Sequence, residues 1–236
     1  MFTLRRLSIL IIAAVLLTAT AAAQSGSSRE MSIEESYLQE SIEIMIIRET
    51  ARSNSREQKM ISLDYIKDAI GRGNKNDEIR QTLEYLSMEG RRSVIRESGR
   101  VVNNFPDIRR QAVRYLGQVG TEEARKSLIL VLQSENEPAV IQEAIRALGD
   151  IGTNVNNETV AHIAWVMDRN NNSLNPDNLM ALATIEAFEK IAKTSEGLTS
   201  QEAIQTLLRI TEGNFIKPVR DRARQLLADL RSYGRR

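Results

Sequence analysis

Gln111-Ala112-Val113-Arg114-Tyr115-Leu116-Gly117-Gln118-Val119-Gly120 recurs 32 residues on as Glu143-Ala144-Ile145-Arg146-Ala147-Leu148-Gly149-Asp150-Ile151-Gly152. In each copy the apolar residues fall on one face of a helix and a glycine follows the last turn, the residue that takes a left-handed cap at least cost. A supersecondary unit repeated near this period cannot bury its apolar face alone. It must stack on its neighbours, which makes the chain a helical repeat array.

The pattern extends outward from these two copies. Thr82, Ala112, Ala144, Thr184 and Ala223 align at spacings of 30, 32, 40 and 39 residues. Four positions after each stands a larger apolar residue: Leu86, Leu116, Leu148, Phe188 and Leu227. Small residues let the next helix approach and large ones fill the space beside them. Ala124, Leu128, Val131 and Leu132 form the stripe of an intervening helix, which Thr121 is placed to cap. Ser32 with Glu35, and Thr199 with Glu202, have capping-box spacing. Polar breaks divide the chain into eleven expected helices, one of them over about 91–102, and no strand-like alternation is read anywhere.

Asp107 through Gly120, the Gly-Thr-Glu-Glu-Ala link at 120–124 and the cassette after it resemble HEAT repeats. The resemblance is to the short subtype also called PBS-lyase HEAT-like, with its apolar-Arg, Ala and Ala-Leu-Gly-x-Ile-Gly pattern. It is specific over about 105–153 and extends through 76–232. The resemblance implies an all-α, right-handed α-solenoid of about five helical hairpins plus a C-terminal capping helix. It also implies that the second helix of each hairpin lines a concave side.

Residues 1–23 carry Arg5 and Arg6, an apolar run from Leu7 to Leu17 and Ala21-Ala22-Ala23 before Gln24. That is the layout of a secretory signal, expected to be cleaved, with a retained anchor as the alternative. Residues 24–31 read as a polar linker and 32–236 as the repeat domain. Loss of residues 1–23 leaves 30 basic against 31 acidic residues, a charge of −1 that names no partner. With no cysteine in the chain there is no disulfide framework and no thiol chemistry. The expected location is periplasmic or secreted.

One histidine and the lack of any Ser-His-acid, phosphate-loop or paired-carboxylate motif point away from catalysis, and no cofactor or metal is expected. Asp168-Arg-Asn170-Asn-Asn172 opens like a calcium loop, but Ser173 and Leu179 stand where that loop needs glycine and a closing glutamate. The basic residues Arg220, Arg222, Arg224 and Arg231, with Arg235 and Arg236 beyond, suit a capping helix.

On the expected helix 91–102, Val94, Ser98, Val101 and Val102 would face inward, leaving Arg92, Arg96 and Arg100 as an outward row. Two hairpins on, Val160, Ile163, Ala164 and Met167 form a buried stripe, with His162, Trp165 and Arg169 opposite and Lys126 exposed between. Arg92, Arg96, Arg100, Lys126, His162, Trp165 and Arg169 are therefore the candidate partner-binding residues, a cationic strip ending at the chain's single tryptophan. The functional expectation is a non-enzymatic exported scaffold or adaptor that binds a partner protein through its concave face in a cell-envelope assembly. A chromophore-lyase-like accessory and a nucleic-acid-binding protein are the alternatives. Nucleic acid is not expected, given the export signal and the charge balance.

Overall fold

Pro106 and Pro138 each open a helix, and Gly120 and Gly152 close them at φ of 75° and 73°. Proline fits the first turn because its missing N–H would have no helical partner there, and only glycine takes the left-handed cap without strain. In a computed structural model describing residues 32–170, 174–195 and 197–233, ten α-helices are found among the described residues. They are α1 (Ile33–Arg52), α2 (Arg56–Gly71), α3 (Asp77–Ser87), α4 (Pro106–Val119), α5 (Glu122–Ser134) and α6 (Pro138–Ile151). Then follow α7 (Glu158–Arg169), α8 (Asn178–Thr194), α9 (Gln201–Glu212) and α10 (Lys217–Tyr233). The expected signal and linker, Asn171–Ser173, Arg235 and Arg236 lie outside the described residues. Among those described, no helix is long and apolar enough to cross a membrane.

The chain divides into two units, residues 1–41 and 42–236. The described part of the first is the opening of α1, where Ser32 Oγ accepts from the Glu35 N–H at 3.1 Å and Glu35 accepts from the Ser32 N–H at 3.0 Å. This is the expected capping box. In the second unit Ser55, Asn76, Thr121, Asp177 and Ser200 cap the helices that follow them. The cap of α9 is Ser200, not Thr199: Ser200 Oγ accepts from Ala203 N–H, and Glu202 instead accepts from the Ser200 hydroxyl at 2.7 Å.

The second unit is a two-layer stack, as the repeat pattern requires. Helices α2, α4, α6, α8 and α10 form one layer. Arg56–Asp107 joins α2 to α4, Arg114–Glu143 joins α4 to α6, Lys190–Asp150 joins α6 to α8 and Arg222–Glu189 joins α8 to α10. In the other layer Ser127–Glu84 links α3 to α5, Arg125–Glu158 links α5 to α7 and Arg209–Asp168 links α7 to α9. The core lies between the layers. Ala112, Leu116, Ala144, Leu148, Thr184 and Phe188 are fully buried there, as their alignment requires.

The glycines inside the two cassettes are positions of close approach. A Cβ on Gly117 would stand 2.8 Å from Ala147 Cβ, and one on Gly149 would stand 2.7 Å from Ala187 Cα. Ala-Leu-Gly thus reads as a ladder: the alanine receives the glycine of the helix before, and its own glycine receives the next helix.

The expected helix over 91–102 does not form. Arg96–Glu97 (β1) and Arg100–Val101 (β2) make a short antiparallel hairpin instead. Ser98 and Gly99, at φ of 49° and 81°, supply the two-residue turn whose twist suits such a pair. Asn103 holds it in place: its Oδ1 accepts from Ile95 N–H at 2.8 Å and its Nδ2 donates to Ser93 C=O at 2.7 Å. Val94, Val101 and Val102, expected to face inward, are exposed.

With that helix gone, the alternation of layers shifts by one at the start of the array. Helix α3, and Thr82 with it, belongs to the layer of α5 rather than that of α4. Ser62 and Ile66 on α2, both fully buried, are the small–large pair of the first layer there. Four hairpins (α2–α3, α4–α5, α6–α7 and α8–α9) are flanked by α1 and α10.

Candidate binding surface

The outer face of α5, α7 and α9 carries the most tightly organised of the candidate residues. Val160, Ile163, Ala164 and Met167 commit one side of α7 to the core. Helical periodicity then turns His162, Trp165 and Arg169 outward. Trp165 is 46% exposed, unusual for a residue that usually finds cover.

Trp165 is held rather than loose. The Arg169 guanidinium lies 4.6 Å from the centre of the indole ring. The same guanidinium donates to the carbonyls of Gln133, at 3.1 Å, and Glu135, at 2.8 Å. It thereby satisfies orphan acceptors at the end of α5 and fixes the side of the ring it covers. His162 is tied as well: Nδ1 donates to Glu158 C=O at 2.9 Å, leaving Nε2 to accept from the Gln133 amide at 2.9 Å. Lys126 is exposed on α5.

Beneath this surface runs a buried polar chain. Glu135, whose backbone carbonyl receives Arg169, accepts from Arg109 through its carboxylate at 2.6 Å. Arg109 also donates to Glu89 C=O at 3.1 Å, and the Glu89 carboxylate pairs with buried Lys59 at 2.8 Å. Charges so enclosed need partners on every side, and here each has one.

The three arginines read as one helical row are separated. Arg92 follows α3, where it lines a cavity of about 90 Å³ with Tyr85, Glu89 and Ile95. Arg96 and Arg100 sit on the hairpin, where Arg96 pairs across from Val101 and Arg100 across from Glu97. Strand alternation therefore puts Arg96 and Arg100 on opposite faces of the ribbon. The continuous cationic strip is not present: Lys126, His162, Trp165 and Arg169 lie on one helix layer, and Arg96 and Arg100 do not.

Sequence reading missed Leu130 and Leu208, 49% and 42% exposed on the outer sides of α5 and α9. Their signal was an apolar residue standing off the buried stripe. It also missed Tyr85, Arg48 and Arg52, which with Gln81 and Glu78 line a cavity of about 220 Å³ between α1 and α3. Burial holds the Tyr85 phenol above its usual value, with Glu89 adding to that and Arg52 opposing it.

The calcium-like start at Asp168 finds other uses for its carboxylates. Asp168 pairs with Arg209 at 2.8 Å, while Asp177 caps α8 and accepts from Gln142 at 2.9 Å. No group of metal-ligating side chains is found among the described residues. On α10, Arg222 pairs with Glu189 and Arg224 with Asp221, so these basic residues serve the stack itself.

Residues 100–174, from β2 through α7, match the family model for HEAT repeats. No curated protein matches the chain. The match supports a HEAT-repeat protein, and such repeats generally serve as protein-interaction scaffolds.

Proposed function

We propose that this HEAT-repeat chain is an exported, non-enzymatic scaffold that holds a partner protein in a cell-envelope assembly, using the outer face of α5, α7 and α9. The observation that carries the reading is Trp165: a large aromatic side chain left 46% exposed yet fixed in place by Arg169. An aromatic anchor held rigid before binding loses little freedom on contact, and Trp and Arg dominate interface energetics out of proportion to their number. Leu130 on α5 and Leu208 on α9 add exposed apolar side chains to the same layer, Lys126 is exposed on α5, and His162 bonds the Gln133 whose carbonyl also receives Arg169. Export rests on the charged, apolar and small-residue segments of residues 1–23.

Crosslinking in the native host followed by mass spectrometry, comparing wild type with Trp165→Ala, tests the reading. A specific envelope protein captured by wild type and lost in the variant is the expected result. The same captured set in both, or recovery of the chain from the cytoplasmic fraction alone, would overturn it.

A further inference from the structure

The two cavities that share Tyr85 form a feature separate from the Trp165 surface. One, of about 220 Å³, lies between α1 and α3; the other, of about 90 Å³, lies between α3 and the hairpin. They exist because α3 stops at Ser87 and the chain then leaves the layer as a hairpin, which leaves Tyr85 47% exposed, with Lys59 Nζ 5.2 Å from the centre of its ring. Arg48 and Arg52 reach the larger cavity from one face of α1, four residues apart. Most arginines of the stack are paired, but the guanidiniums of Arg48, Arg52 and Arg92 have no hydrogen-bond or ion-pair partner among the described residues. Glu78 is the carboxylate in the lining of the larger cavity.

We propose that this cavity pair is a recognition site for one carboxylate side chain of an acidic peptide segment, gripped by Arg48 and Arg52, with the segment's neighbouring atoms against Tyr85. Two guanidiniums facing one Glu78 leave a lining charge of +1, which one carboxylate neutralises; a phosphate dianion would leave an excess beside Glu78. The larger volume lies below the roughly 300–1,000 Å³ of pockets for whole small molecules, and suits a side chain with adjoining backbone. The smaller cavity continues past Tyr85, where Glu89 stands in the lining with Arg92, so the carboxylate is gripped in the larger cavity, by Arg48 and Arg52. The proposal shares with the proposed function only the expectation that the partner is a protein.

The test is fluorescence anisotropy of the full chain with a labelled, end-blocked Ala-Glu-Ala-Glu-Ala peptide and its Gln counterpart. The Glu peptide binds and the Gln peptide does not. Arg48→Gln/Arg52→Gln weakens binding about tenfold or more, Glu78→Gln strengthens it, and Trp165→Ala leaves it unchanged. Arg48 and Arg52 are exposed, so the double variant keeps its helical circular dichroism. Equal binding of the two peptides, or unchanged binding by the folded double variant, overturns the site. So does displacement by inorganic phosphate at lower concentration than acetate, which replaces the carboxylate with a phosphate. Loss of binding in Trp165→Ala alone moves the acidic contact to the other surface and likewise ends this proposal.

Discussion

Arg109 Nε donates to Glu135 Oε2 at 2.6 Å with both side chains 2% exposed, so α4 and the end of α5 are joined by an ion pair sealed from water. Burial pushes the Glu135 carboxyl up, but Arg109 and the N–H groups of Glu137 and Asn136 outweigh it and hold the group below its usual value of 4.5. A carboxyl depressed in the fold stabilises fully above its unfolded value and loses that contribution as pH falls through the folded value. Stability is therefore expected to fall with acid below about pH 4.5, and less so in Glu135→Ala. That variant leaves Arg109 without its carboxylate and costs about 3–5 kcal/mol in urea unfolding near neutral pH. Arg109→Met/Glu135→Leu costs less than the single change, because no charge is left alone.

Gly149 and Gly71 should respond oppositely to alanine. A Cβ on Gly149 would press on Ala187 at 2.7–2.9 Å, whereas one on Gly71 meets nothing within 4 Å. Gly149→Ala is expected to lower stability by about 1–3 kcal/mol as α6 and α8 are forced apart. Gly71→Ala should raise it by about 0.5 kcal/mol by restricting the unfolded chain. Thermal melts of both variants separate helix propensity from helix contact.

Asn103 is 3% exposed and bonds Ile95, Ser93 and Glu89. Asn103→Ala should free the hairpin while leaving the helix layers paired. The expected signature is faster hydrogen exchange at the Ile95 and Val102 amides, with exchange in α4 and α6 unchanged. A stability loss of about 1–3 kcal/mol accompanies it, from the buried groups left without partners.

Because Trp165 is the only tryptophan, its emission reports one place. Arg169→Ala removes the guanidinium over its ring and should alter the emission and its quenching by iodide. The folding cost is about 0.5–1 kcal/mol from the stacked pair, with a further contribution from the freed carbonyls of Gln133 and Glu135. Arg169→Lys keeps the charge but not the planar fork, and should restore the emission only in part.

The helix layers were legible because packing left a periodic trace: small residues where helices touch, large apolar ones beside them and glycine closing α4 and α6. The hairpin was not, since Arg92 before it and Arg96 and Arg100 on it also satisfy helical spacing. The competing signal was Ser98-Gly99 between β-branched and charged residues, a two-residue turn pattern that outranks periodicity over so short a stretch. One wrongly read segment had a long reach, moving α3 and Thr82 to the other layer. The buried stripe of α7 was readable, and with it the outward turn of Trp165. The cavities at Tyr85 were not, because they depend on where α3 ends relative to α1, and no single segment encodes that.

The tip of the hairpin offers a practical handle. Ser98 and Gly99 are exposed, and the space beside Gly99 is open. Short tags, fluorophores or photo-crosslinkers tolerate such loop ends better than helix termini buried in a stack. An epitope inserted between these two residues would mark the protein internally, leaving both chain ends untouched.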